Sequence, residues 1–189
     1  ADEIIEAFNA GIRNFAENKA QDAEKKRLQL PDEIEKEIIW HYVGHLQTNK
    51  VSKVVGKFEY IHSVDSFKLA NLIAEQATNK GIIQKILIQV NVAKEISKFG
   101  FDVFEVEEVF EKILKLDSLN VLGLMTMAPF TDNEEIIRST FRGLRELRDR
   151  LEKKYSCTLK ELSMGMSSDY KIAIQEGATM IRLGQILFK

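Results

Sequence analysis

The sequence has little cysteine, little proline and no large excess of charge. Cys157 is the single cysteine among 189 residues. No internal disulfide can form, and a chain of this kind fits a cytoplasmic setting. Pro31 and Pro129 are the only prolines. That argues for regular elements on short loops, and against a Pro-rich linker or low-complexity tail. Lysine and arginine number 27 against 29 acidic residues, a formal charge of −2. Without a basic excess, nucleic acid is a poor candidate partner. No apolar run approaches the roughly 18 residues needed to span a bilayer. The acidic opening Ala1-Asp2-Glu3 enters a helical pattern directly and does not read as a signal peptide. What is present, 30% charged and 44% hydrophobic residues, is the balance of one globular domain.

Strand and helix patterns take turns along the chain. Ile4, Ile5, Phe8 and Ile12 repeat at helical spacing. Strand composition follows at 12–16, 38–43, 60–64, 86–92, 121–127, 159–164 and 180–183. Helical patterns lie between them. Ser66 is placed to cap one, and Ile137, Phe141, Leu144, Leu147 and Leu151 stripe the longest, Glu134 to Lys154. Seven strands with a helix after each of the first six predict a parallel sheet with covered faces. A doubly wound open sheet and a (β/α)8 barrel both fit. The barrel needs eight strands, and the chain starts on a helix with no strand before it, so one leading strand would precede Ala1.

Polar and glycine-rich groups collect just after the strands. They are Glu17-Asn18-Lys19, Gly44 to Lys50, Asn91, Ser97 to Gly100, Met125-Thr126, Ser163 to Ser168, and Arg182-Leu183-Gly184. Carboxyl ends of parallel strands are where such folds bind ligands. Ser167, Ser168 and Asp169 are expected to open a helix, either as a plain N-cap or as an anion site, and Gly184 could approach the same anion. Arg182 stands between Ile181 and Leu183 in an apolar strand and must find acceptors. Two partners are open: a salt bridge, for instance to Glu17, or a ligand ring nitrogen or carboxylate.

Other signals point nowhere in particular. His41 and His45 straddle a strand end without a third ligand, so a metal site is not expected. Gly44 to Lys50 has Asn49 and Val51 where a P-loop needs glycine and a hydroxyl. Cys157 has no activating neighbour in sequence. Trp40 reads as packing, and the charge runs at 24–27 and 105–108 read as solvated faces.

Taken in order, the strand-end groups resemble the pyridoxal-phosphate (PLP) homeostasis protein family, which is related to the N-terminal domain of alanine racemase. The matching pieces are Asn14-Phe15-Ala16-Glu17-Asn18, Trp40 to Lys50, Ile61-His62-Ser63-Val64-Asp65, Gln89-Val90-Asn91 with Ser97-Lys98-Phe99-Gly100, Gly123-Leu124-Met125-Thr126, Leu162 to Ser167, and Ile181-Arg182-Leu183-Gly184. They extend over essentially the whole chain. The resemblance implies a single barrel domain, residues 1–189, truncated at its N-terminus and holding PLP.

In that family a lysine at the end of the first strand forms a Schiff base with PLP. By the pattern it would lie before Ala1, so none of Lys19, Lys50 and Lys98 takes that role. The resemblance assigns the phosphate to Ser167 with backbone from Met166 and Gly184, and the pyridine nitrogen to Arg182. It places Asn18, His41 and Ser163 at the cofactor pocket. Ala16 stands where glycine is usual, and Gln185 where a small hydroxyl residue is usual. A cationic arginine disfavours a proton on the ring nitrogen and makes PLP a weaker electron sink. The implied function is an intracellular PLP carrier or buffer without strong catalysis. It would be monomeric, with PLP as ligand and PLP-dependent apoenzymes as recipients. The competing readings are a PLP-dependent amino-acid racemase and a phosphometabolite barrel enzyme without PLP.

Overall fold

A computed structural model describes residues 1–95, 99–184 and 186–187. Ser97, Lys98, Gln185 and the terminal Phe188-Lys189 lie outside the described residues. Helix α1 (Asp2–Asn9) precedes β1 (Asn14–Glu17). Then come α2 (Ala20–Arg27), α3 (Asp32–Glu35), β2 (Ile39–Tyr42), a 3-10 turn (Thr48–Lys50) running into α4 (Val51–Val54), and β3 (Tyr60–Val64). The series continues with α5 (Phe67–Asn79), β4 (Gln84–Gln89), α6 (Val103–Leu114), β5 (Leu119–Met125), α7 (Glu134–Tyr155), β6 (Glu161–Met166), α8 (Tyr170–Gln175) and β7 (Met180–Arg182).

Every neighbouring pair of strands is parallel, and strand order follows chain order from β1 to β7. The sheet curls. Ser163 on β6 meets His62 on β3, three strands away, at 2.8 Å. Only a strongly curved sheet lets two such side chains touch across its concave side. The seven strands form a nearly closed barrel; among the described residues no pairing joins β1 to β7.

Helices cover the convex side because their apolar faces have the right period. On α7 the stripe Ile137, Phe141, Leu144, Leu147 and Leu151 is buried, as its spacing predicts. On α5 the buried face is Leu69, Ala70, Ile73, Ala74 and Ala77. The Ser66 hydroxyl accepts from the Leu69 N–H at 3.2 Å and caps this helix as expected. Full burial of side chains such as Phe110, Phe141 or Ile88 contributes about 1.5–3 kcal/mol each by transfer from water.

Several expectations shift. The strands expected at 12–16 and 159–164 are Asn14–Glu17 and Glu161–Met166. The strand expected at 86–92 is Gln84–Gln89. Its apolar tail leaves the sheet after Val90, whose N–H still donates to the Met125 carbonyl on β5 at 2.8 Å and which also bridges Phe101, because Asn91 closes a turn, its amide bonding the Glu95 backbone on both sides. The strand expected at 121–127 is Leu119–Met125, in register with Gln84–Gln89. Ser167 and Ser168 do not begin a helix, and Asp169 stands at the N-cap position of α8 without a side-chain cap bond. The three residues form a turn, and α8 starts at Tyr170 and is only six residues long.

Candidate functional site

Because every neighbouring pair of strands is parallel, the described residues that follow the strands lie at one end of the barrel. Ser167 follows β6 and Gly184 follows β7. The Gly184 N–H donates to Ser167 Oγ at 3.4 Å, a long bond. Two donors from two loops therefore converge, and the weak bond between them leaves both available to a stronger acceptor. The turn that presents Ser167 depends on Gly165. Its φ is +95°, and a Cβ there would lie 2.5 Å from the Ala173 Cβ. Met166 ends β6 opposite Arg182. Its N–H is already taken by Asp169 Oδ1 at 2.5 Å, so an anion at this turn competes with a carboxylate.

Asn18 lies just beyond β1 and holds the next loop through its backbone. A Cβ at Gly44 would meet the Asn18 carbonyl oxygen at 2.1 Å, so the loop after β2 approaches this closely only because residue 44 is glycine. At the mouth, His45 bonds Asp65 at 3.1 Å and stacks on Phe99 with ring centroids 3.6 Å apart. Among the described residues no group of three or more His, Cys, Asp or Glu side chains is placed to hold a metal. Cys157 is partly buried, and burial pushes its thiol up, away from reactivity.

Arg182 settles its two open readings in part. The salt bridge to Glu17 is not formed: Glu17 pairs with Lys26 instead, a helix residue nearer in sequence. Arg182 makes no ion pair among the described residues. Its Nη1 donates to Ser163 Oγ at 2.7 Å and its Nη2 to the Thr126 carbonyl at 3.1 Å. Burial pushes its pKa down to about 10, with the nearby Asp169 charge opposing. The guanidinium stays cationic at neutral pH, is anchored on one side, and keeps N–H donors beyond the two it uses.

Behind Arg182 runs a chain that sequence reading missed. Ser163 Oγ is 2.8 Å from His62 Nδ1, His62 Nε2 is 2.8 Å from His41 Nδ1, and His41 Nε2 is 3.0 Å from Asn14 Oδ1. His41 also stacks flat on Tyr60, with centroids 4.5 Å apart. Both nitrogens of His41 are used, so it reaches the site through His62 and not as a free donor. The signal was there: His62 is an ionisable residue in the middle of a buried strand.

Both imidazoles are held neutral. Burial lowers the pKa of His41 to about 4, with the Glu59 charge pulling the other way. Burial lowers His62 well below the ordinary value, and the charges of His41 and Arg182 add to this. An acid sensitivity follows. Unfolded His41 takes a proton near pH 6.5, but the folded ring resists until about pH 4. In that window the unfolded state binds more protons, so stability falls as pH is lowered through it, by about 3 kcal/mol for this ring. Urea midpoints across the window should fall less steeply for His41→Asn than for the parent. Equal slopes would contradict the assignment.

A groove of about 420 Å³, lined by Arg27, Leu28, Lys57 and Phe58 among others, lies apart from these residues and contains none of them.

Known proteins resemble this chain in sequence and fold. The family described as "Alanine racemase, N-terminal domain" matches residues 1–189. A pyridoxal phosphate homeostasis protein of Aquifex aeolicus is 45% identical over 185 residues, covering 98% of this chain and 80% of its own. PipY of Synechococcus elongatus PCC7942, solved with PLP bound, superposes with a TM-score of 0.89 at 35% identity, over 100% of this chain and 87% of that one. Alanine racemase of Clostridium difficile shares the fold alone, with a TM-score of 0.82 at 15% identity over 99% of this chain and 47% of that one. Sequence and fold agree across the full length, and the chain belongs to the pyridoxal phosphate homeostasis protein family, built on the barrel of the alanine racemase N-terminal domain.

Proposed function

We propose that this protein binds PLP at the carboxyl end of the barrel and serves intracellular PLP homeostasis as a carrier or buffer, without strong catalysis. One observation carries the reading: a cationic Arg182, with no carboxylate hydrogen-bonded to it among the described residues, stands close to a turn where the Ser167 hydroxyl and the Gly184 N–H converge. An anionic tail and a ring nitrogen need those two features, and β6 and β7 supply both. PipY, solved with PLP bound, supports it.

The residues present suit the cofactor. Ser167 and Gly184 would donate to the phosphate. Met166 would add its N–H where the anion outcompetes Asp169. Helix α8 adds little, because six residues make a small dipole. Arg182 would face the pyridine nitrogen, with Ser163 behind it and Asn18 and His41 further along the lumen. When bound, PLP supplies an aldehyde for amines and a ring that withdraws electrons. The protein's part is to grip the phosphate and to keep the ring nitrogen unprotonated, since a fixed cation beside that nitrogen raises the cost of a second positive charge. Such a site retains the cofactor while leaving its ring a poor electron sink.

The covalent lysine belongs, on this reading, to a leading strand before Ala1, which would fill the seam between β1 and β7 and complete the single barrel domain. The carrier works in the cytoplasm as a monomer and passes PLP to apoenzymes that require it.

Reconstitution of the full-length protein tests this. It should acquire a visible absorbance band that borohydride removes, and should not racemise amino acids at enzymatic rates. Absence of saturable PLP binding would refute cofactor binding. Fast racemisation would replace the carrier with an enzyme.

A further inference from the structure

We infer that His62 is a positioning residue of this site: acting through the Ser163 hydroxyl, it fixes the Arg182 guanidinium in one orientation. His41 and Asn14 fix His62 in turn. The inference rests on the proposed PLP site for its purpose, but on this chain's own hydrogen bonds for its geometry.

The protons in the chain can be assigned from the network. Asn14 Oδ1 only accepts, so His41 carries its proton on Nε2. The ring is neutral, so His41 Nδ1 is bare and accepts from His62 Nε2–H. His62 is neutral too, which leaves its Nδ1 bare to accept the Ser163 hydroxyl proton. A lone pair of Ser163 is then turned toward Arg182 Nη1. Every donor points the same way, from Arg182 through Ser163, His62 and His41 to Asn14.

This direction matters because of how Arg182 is held. One of its two acceptors, the Thr126 carbonyl, is fixed backbone. Thr126 is itself tied by its N–H to the Ser163 carbonyl at 3.1 Å and by its hydroxyl to the Val90 carbonyl at 2.7 Å. The other acceptor is a serine hydroxyl, which can rotate. With its proton turned toward the guanidinium it would repel Arg182. His62 removes that freedom by taking the proton on the opposite side. A carboxylate at Ser163's position would hold the arginine as firmly, but would neutralise the charge that the ring nitrogen is meant to feel. A neutral chain anchors the cation and leaves its field intact. The charged groups nearby are consistent with this: Asp169 acts on Arg182 and Glu59 on His41 without a hydrogen bond to either, and Tyr60 only stacks.

A pair of buried histidines can also be mere core filling, so the test must read Arg182's effect and not stability alone. Without ligand, long-range 1H–15N spectra of the full-length protein should show both rings neutral at neutral pH with the proton on Nε2. A cationic ring, or His62 protonated on Nδ1, would overturn the inference whether or not PLP binds. With PLP labelled with 15N in its ring, the nitrogen shift reports protonation directly. His62→Leu keeps similar volume but removes the acceptor; His62→Asn can place an oxygen where Nδ1 stands. The protonation midpoint should rise by about one pH unit, tenfold in proton affinity, in His62→Leu, and return to within about threefold of the parent in His62→Asn. Should His62→Leu fail to fold, Ser163→Ala provides the same arm and the same expected rise. A midpoint unmoved in these variants overturns the positioning role. A parent protein that takes up no PLP refutes the proposed site instead, and leaves the proton assignment to be judged by the ligand-free spectra.

Discussion

Ser167→Asp should lower the affinity of the full-length protein for PLP by about 100-fold or more, with little change in its melting temperature. The carboxylate would stand where the Gly184 N–H now meets Ser167 Oγ at 3.4 Å. Two like charges about 4 Å apart repel by about 4 kcal/mol at the effective dielectric of a partly exposed site, and a hundredfold change in affinity needs about 2.7. Stability should survive, because residue 167 is partly exposed and its hydroxyl makes one long bond. Ser167→Ala, which removes a donor without adding charge, should cost about tenfold or less. Equilibrium dialysis with free PLP measures both. Unaltered affinity in the aspartate variant would mean that the phosphate sits elsewhere.

The second large effect is on the fold. Gly165→Ala should destabilise the protein by about 3 kcal/mol, a loss large against the about 5–15 kcal/mol that holds a domain together. Two costs combine. An L side chain at φ +95° is strained by about 1–2 kcal/mol. Its Cβ would also sit 2.5 Å from the Ala173 Cβ and 3.1 Å from the Tyr170 Cα, so α8 must move away from β6. Overpacking of that kind costs about 1–3 kcal/mol. Denaturant unfolding checks the magnitude. PLP affinity should fall with it, because the turn carrying Ser167 shifts when α8 moves. A variant as stable as the parent would show that the turn yields easily and is no rigid cradle.

The alternation of strands and helices was legible because it is written locally. β3 stands where its strand composition puts it, and the α7 stripe is buried residue for residue. The ends of β4 and β5 were not legible. Ile86 to Val92 reads as uninterrupted strand, and only the turn closed by Asn91 shows where the sheet releases it. The site divides in the same way. Gly184 and Ser167 could be paired from the order of loops in a barrel. The acceptors of Arg182 could not, since Ser163 and Thr126 oppose it only through the register of β5, β6 and β7. His62 was harder still. Its partner lies 101 residues away across the lumen, and no periodicity along one strand encodes how tightly a sheet curls.

Strand order that follows chain order has a consequence for how the protein is made. Each strand finds its neighbour in the segment synthesised just before it, so the sheet can grow unit by unit as the polypeptide leaves the ribosome. The hydrogen-bonded line from Asn14 to Arg182, however, begins on the first of these strands and ends on the last. A chain that lacks β7 therefore lacks the arginine that ends this line. On the proposed reading, the arginine end of that line is in place only once β7 has joined the sheet beside β6.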